Sequence, residues 1–502
     1  MSVTPSPNTM APEPPKGATA ASRAAAASPA AVPSAGERPR TVHAVLLFLI
    51  AVAALSPGLG SSPVSLNAEE RIVQVTQTML RTGEYMVPYL DGEPHFTKPP
   101  LYYWMSVAAG RVLGRADALV ARIPAVLCAG LAVALTYLLG CALRSRAVGL
   151  MAGAILLTCM LFTERSHVAT FDIALTTAVA LAVYGGWRWL EEAGWAGVAL
   201  LFAGAALGFM IKGPVAWIIV AIALIGALAM RGRLRRLLSW RAGAFILALI
   251  AVSSVWYVAV MVRDPLARQV FHDELMLYMG APAEQHTARH YEPFYQYLLG
   301  LPADIAPWSA YLPVVVFCLW RRRALLSRSS ALWFPLIWFA GGLAFFSMVP
   351  SKQPAYLLPL YPALALVIAW VLLEALGGDE REQAWLRRTN LAVGIACLPA
   401  AVALGCLFWA RAGAPVALSV MAGAVVGVIG AGVAWLAIKR RNRQALIFLL
   451  AGWIVFTPFL YGYYMPAHRY THEYKDSPQG KAYVERAERF LAFWGLSKMI
   501  TP

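Results

Sequence analysis

Between residues 43 and 464 the chain is a succession of apolar runs near twenty residues long, separated by short basic or Gly/Pro-containing turns. No other feature limits the fold as much. A bilayer core of about 30 Å is crossed by about twenty apolar residues in a helix, and in lipid the backbone must satisfy its own hydrogen bonds. Used as a ruler, this length marks a first span over 43–59 and others beginning near Ala118, Ala147, Phe171, Trp195, Val215, Ala242, Leu298, Leu332, Ala355, Leu391, Val416 and Ala445, about thirteen in all. The stretch 195–230 is too long for one helix and carries Gly213-Pro214 in its middle, so it reads as two spans. The expected fold class is an all-α polytopic membrane protein.

Composition agrees. With 502 residues, 59% hydrophobic and 14% charged, the chain is neither a soluble enzyme nor a disordered scaffold. Its 42 Lys and Arg outnumber 26 Asp and Glu, but the excess lies in short clusters between apolar runs, which argues against a nucleic-acid partner. The six cysteines fall in or beside apolar segments, as small buried hydrophobes do, so no disulfide is expected.

Short loops rich in Lys and Arg stay cytoplasmic. Arg144 and Arg146, the basic stretch 231–236, Arg321 to Arg323, Arg387 with Arg388, and the stretch 439–443 share one side if the amino terminus is cytoplasmic. Three regions follow. Residues 1–42, rich in Ala, Pro and Ser, read as a disordered cytoplasmic tail; 43–464 form the transmembrane domain, with outer loops 61–117 and 263–297; 465–502 form a short outer tail, amphipathic over 481–494. The first span lacks a small-x-small cleavage site and reads as uncleaved. In loop 61–117, Ile72, Val75, Met79 and Leu80 make one apolar face, and Pro99-Pro100 opens an apolar aromatic run, so two interfacial helices are expected there.

Ionisable residues at membrane depth are costly and mark function. Asp172, Lys212 and Lys352 all fall at outer ends of their spans, on the same side as Glu69, Glu70, Arg71 and Lys98. Carboxylates beside several cations suit group transfer from a phosphate-bearing lipid: a base for the acceptor hydroxyl and cations for the leaving phosphate. Each residue also has an ordinary alternative. The lysines can snorkel to the interface, Asp172 can cap its helix, and Glu69-Glu70 can complement a helix dipole. Their convergence on one face favours the functional reading. His286 and His290 have i, i+4 spacing near His272, yet no HExxH pattern is present; they read as solvated loop histidines, with no cofactor required and little support for a divalent metal. Tyr102, Tyr103, Trp104, Tyr356 and Tyr361 read as interfacial anchors, with Tyr356 close enough to Lys352 to share a phosphate.

Residues Ala68-Glu69-Glu70-Arg71, the run 79–88, and Phe96-Thr97-Lys98-Pro99-Pro100-Leu101-Tyr102-Tyr103-Trp104 together resemble the first outer loop of the bacterial aminoarabinose (4-amino-4-deoxy-L-arabinose) lipid A transferases. Those enzymes belong to the protein mannosyltransferase-like GT-C glycosyltransferases. Asp172 with Leu175-Thr176, the turn 208–214, and 351–362 resemble later blocks of the same pattern, in order, over about 64–369. The resemblance implies a GT-C fold and an inverting transfer of a sugar from undecaprenyl phosphate to an acceptor at the periplasmic face of the inner membrane. It implies Asp172 as a catalytic acid, Arg71 and Lys98 as phosphate-binding residues, and Lys352 with Tyr356 near the same phosphate; Glu69 or Glu70 is the candidate for the other acid, and the position of Lys212 makes it a further candidate for the departing phosphate.

Two positions depart from the pattern. The family's first loop usually reads Asp-Glu-x-Arg, and Ala68 stands at the Asp position; Glu69 or Glu70 then substitutes, or the acceptor differs, or the chain is inactive. Thr97 stands where those enzymes often carry a metal-associated Glu. Lipid A is the leading acceptor and aminoarabinose the leading sugar. A polyprenyl-phosphate-hexose transferase acting on a protein or glycan remains open, as do a lipid or sugar transporter and a membrane scaffold. A transporter would need polar residues lining several spans near the midplane, and most spans here carry none.

Overall fold

The computed structural model describes residues 40–61, 64, 67–192, 194–278, 292–327, 330–412 and 416–464. The expected terminal tails lie outside these residues, apart from 40–42, as do His286 and His290. The helices are α1 (Thr41–Leu55), α2 (Asn67–Thr82), α3 (Leu101–Leu113), α4 (Ala118–Leu143), α5 (Arg146–Thr158), α6 (Met160–Ser166), α7 (Phe171–Glu192), α8 (Trp195–Lys212) and α9 (Val215–Met230). After them come α10 (Trp240–Arg263), α11 (Pro265–Tyr278), α12 (Gln296–Asp304), α13 (Leu312–Arg321), α14 (Trp333–Met348), α15 (Tyr361–Leu376), α16 (Glu380–Ala412), α17 (Val416–Ile438) and α18 (Asn442–Phe459). Strands β1 (Tyr89–Leu90) and β2 (Glu93–Pro94) form one small antiparallel hairpin.

Among the described residues, eight helices are long and apolar enough to cross a membrane, two bent pairs pass the same test together, and three shorter helices are apolar. Every apolar segment expected from the sequence falls on one of these. Two segments expected to be single spans are bent. The span expected near Ala147 is α5 plus α6, bent by 66°, with Cys159 extended between them. The span expected near Leu298 is α12 followed by Trp308–Arg321, bent by 108°. Pro302 and Pro307 lack an N–H to continue the helix there. The amide of Met160, freed by the first bend, donates to the carbonyl of Ala306 at the second (3.1 Å).

The helix pair α7–α8 sets the geometry of the site. A seam of small residues lets the two backbones meet: a Cβ on Gly204 would lie 2.4 Å from the amide nitrogen of Ala182 and 2.6 Å from the carbonyl oxygen of Ala178. Antiparallel helices in such contact bring the start of α7 against the end of α8. Gly213, with φ +72°, then turns the chain into α9. Gly204→Ala forces this seam open, and we expect it to cost about 1–3 kcal/mol, seen as a lower unfolding midpoint in detergent. A variant as stable as the wild type would refute the close approach.

Both helices expected in the first loop form, as α2 and α3. Ile72, Val75 and Met79 are buried against the bundle. Tyr102 and Tyr103, expected as interfacial anchors, are instead core residues at 0% and 1% exposure, and the Tyr102 hydroxyl donates to the Ala121 carbonyl (3.0 Å). Tyr361 is likewise buried. Helix α11, in the second loop, was not anticipated; Pro265 opens it at a position where a missing N–H costs nothing.

Candidate active site

Asp172 lies in the first turn of α7, inside the helix rather than capping it. Its carboxylate accepts a charged hydrogen bond from Lys212 Nζ at the end of α8, and both side chains are mostly buried. The same ammonium sits 4.4 Å from the centre of the Tyr356 ring. A carboxylate, a cation and an aromatic ring thus meet from three separate segments. Lys212 does not snorkel away to the interface; it is held between an anion and a π face. Tyr297 of α12 joins this group, its phenol lying within electrostatic range of both Tyr356 and Asp172.

Lys352, expected beside Tyr356 on a shared phosphate, is placed differently. It is buried, and its ammonium donates to the carbonyls of Val349 (2.7 Å) and Glu292 (3.0 Å). It ties the segment carrying Tyr356 to the second outer loop.

The first loop supplies a second basic group. Arg71 is exposed, and both Arg71 and Lys98 act electrostatically on His95. His95 Nε2 lies 2.8 Å from Thr97 Oγ1, and Lys98 Nζ donates to the Thr97 carbonyl (2.7 Å). Burial lowers the His95 pKa below the usual imidazole value, and the Arg71 and Lys98 charges push the same way. The ring is therefore neutral at pH 7. This group adjoins the first: Arg71 acts on Tyr103, the Tyr103 ring packs edge-on against Phe171 (5.6 Å), and Phe171 precedes Asp172.

Glu69 and Glu70 part company. Glu70 is exposed on α2. Glu69 is fully buried: Arg122 Nε donates to its Oε1 (2.7 Å), Arg122 NH2 to its Oε2 (3.0 Å), and the Ala169 amide to Oε1 (2.9 Å). A general base must reach the proton that it removes. With no exposed surface and both oxygens bonded, Glu69 is an anchor that docks α2 onto α4 and onto the lead-in to α7. Glu69, expected as a catalytic acid, is thus placed against Arg122 and the Ala169 amide, whereas Glu70 faces outward.

Sequence reasoning missed Arg122, although an arginine a few residues inside an apolar helix is itself a warning sign. It also missed His95, which lies close to Lys98 in the chain, and Tyr297, which carried no signal. A third missed feature steadies the loop. Glu84 accepts hydrogen bonds from the Met86 and Val87 amides and from Arg263 (2.6 Å), while Trp256 Nε1 donates to the Met86 carbonyl (2.8 Å). Partial burial works against ionisation of Glu84, yet these donors outweigh it and its pKa is lowered. Among the described residues, no three His, Cys, Asp or Glu side chains gather as a metal-binding set.

Residues 97–257 match the model of a family described as dolichyl-phosphate-mannose-protein mannosyltransferase. Over those residues this chain is similar to that family. An undecaprenyl phosphate-α-4-amino-4-deoxy-L-arabinose arabinosyl transferase of Pseudomonas fluorescens is 31% identical over 66% of this chain and 60% of its own length. Its counterpart in Pseudomonas aeruginosa is 30% identical over 61% of this chain and 55% of that protein. The chain thus spans about 60% or less of these relatives' length. The crystal structure of ArnT from Cupriavidus metallidurans bound to undecaprenyl phosphate superposes with a TM-score of 0.69 at 18% identity, covering 86% of this chain and 79% of that one. The fold is the GT-C fold, and the chain is a multi-pass membrane protein.

Proposed function

We propose that this chain transfers a sugar, with 4-amino-4-deoxy-L-arabinose the leading candidate, from undecaprenyl phosphate to lipid A at the periplasmic face of the inner membrane. The observation that carries the reading is the meeting of Asp172, Lys212 and Tyr356 beside the Arg71–His95–Lys98 group. The names of the relatives support the choice of donor.

The acceptor oxygen attacks the anomeric carbon as the bond from that carbon to the phosphate oxygen breaks, and the bonding pair leaves with the phosphate. Asp172 takes the acceptor's proton. Lys212 holds that carboxylate in place and, with Arg71 and Lys98, faces the negative charge growing on the phosphate. Attack from the side opposite the phosphate inverts the anomeric centre. Glu70, exposed on α2, is the remaining acid where the family pattern has Asp and this chain has Ala68. Lys352 and Tyr356 shape the phosphate-facing wall, the lysine through the backbone that it holds. No step calls on a metal or other cofactor.

The test is transfer by purified protein reconstituted with undecaprenyl-phosphate aminoarabinose and lipid A, with and without EDTA. Product formation that EDTA leaves unchanged is expected. Loss of product on chelation would overturn the metal-free scheme, and absence of product from wild type would reject this donor and acceptor. The family model's description favours one second reading, transfer of a polyprenyl-linked hexose to a protein, which the same assay with a mannosyl donor and an acceptor peptide would reveal.

A further inference from the structure

At the far end of the bundle lies a cavity of about 270 Å³, lined by Arg387, Arg388 and Leu391 of α16 and by Ala437, Ile438 and Arg440 at the end of α17. Its distance from the site follows from the chain: Tyr356 lies at the head of the segment Pro354–Leu376 and Glu374 at its foot. There Glu374 pairs with Arg144 (2.9 Å) and Arg322 (3.3 Å), and Arg322 reaches on to Glu382 in the first turn of α16.

We propose that this cavity binds the phosphodiester headgroup of an anionic phospholipid. Three observations carry it. First, several arginines at this end are already taken by carboxylates: Arg144, Arg188, Arg231, Arg321 and Arg322 each meet one. Arg387, Arg388 and Arg440 meet none among the described residues, and no acidic residue lines the cavity. Three guanidiniums converging without an anion are the donors that a phosphate takes.

Second, Arg440 adopts φ +58°, a left-handed backbone that glycine occupies without strain and arginine does not. An arginine kept there at a conformational cost points to a use for its side chain. Third, the cavity mixes cations with Leu391, Ile438 and Ala437 at the ends of two apolar helices, where lipid headgroups meet acyl chains. Next to these residues in the chain, Tyr311 donates to Asn390 Oδ1 (2.8 Å), Asn390 reaches Asn442 (3.3 Å), and Asn442 donates to Gln383 Oε1 (2.7 Å), joining α16 to α18.

The experiment measures lipid retained by the purified full chain, by native mass spectrometry after exchange from nanodiscs of phosphatidylglycerol or of phosphatidylcholine. The variants are Arg387→Gln/Arg388→Gln/Arg440→Gln and, as a control of equal charge loss, Arg233→Gln/Arg235→Gln/Arg236→Gln. Each cation near an anionic headgroup is worth about fivefold, so the pocket variant is expected to lose roughly a hundredfold of its preference for phosphatidylglycerol and the control little. Equal retention by all three proteins, or equal loss in both variants, overturns the proposal; the second outcome means diffuse surface attraction. Displacement of the lipid by millimolar inorganic phosphate would also overturn it, since the site would then take the free anion. Arg440→Gly guards against misfolding: it relaxes the left-handed residue, and it is expected to keep or raise the melting temperature while losing about fivefold in retention. Unchanged retention in that folded variant counts against the site.

Discussion

Replacing Asp172 by asparagine is expected to lower transfer by about 10²–10⁴-fold while leaving the protein folded, because a positioned base contributes a factor of that order. Asparagine keeps the shape of the side chain and can still meet Lys212, so the bundle retains its contact, but it cannot take up the acceptor's proton. The readout is turnover of reconstituted protein at matched monodisperse peak area. A rate within tenfold of wild type would remove Asp172 from the chemistry. Glu70→Gln in the same assay separates the two remaining acids, since a collapse there instead would move the base onto α2. Lys212→Met should also lower turnover, and less than additively with Asp172→Asn, because each side chain acts through the other.

Arg122→Ala is the second large effect, and it falls on stability. The substitution leaves the buried Glu69 carboxyl without solvent and without its guanidinium, and also strips the Leu59 carbonyl of a donor (2.6 Å). Breaking a buried pair in this way costs about 3–5 kcal/mol. Denaturation followed in detergent should show it as a large loss of unfolding free energy and a fall in the yield of folded protein. Replacing both partners, as Glu69→Leu/Arg122→Met, should recover much of the loss, since an apolar pair of similar volume leaves no buried charge behind. A loss below about 1 kcal/mol in the single variant would mean that the pair is solvated and that Glu69 is available for other work.

Much of this arrangement is written in the chain. Long apolar segments announce themselves by composition, and the break at Lys212-Gly213-Pro214 is legible because Gly and Pro act locally. The amphipathic pattern of α2 is likewise local, with Ile72, Val75 and Met79 recurring at helical spacing. What stays hidden depends on distant partners. Nothing near Glu69 says that Arg122 will close over it, and the two carboxylates 69 and 70 look alike until one is found inside and the other outside. Lys212 and Lys352 both resemble snorkelling lysines; the tertiary fold gives one a carboxylate and the other two carbonyls. The bend near Pro307 is half legible, since proline marks a weakness without giving its angle, while the bend at Cys159 carries no such mark. Tyr102 and Tyr103 mislead because an aromatic near a membrane surface can be an anchor or a core residue, and only packing distinguishes them.

The two helices that flank the Lys212 turn are short. With 18 and 16 residues, α8 and α9 extend about 27 and 24 Å, against a hydrocarbon core of about 30 Å. Much of α8 faces outward from the bundle. Lipid that meets this wall must thin to match it, at fractions of a kcal/mol per ångström. The 33 residues of α16, about 50 Å, place no such demand on the lipid beside them. Under the proposed function, a lipid carrier approaching along this short wall brings its phosphate toward the depth of Lys212 without leaving its own leaflet.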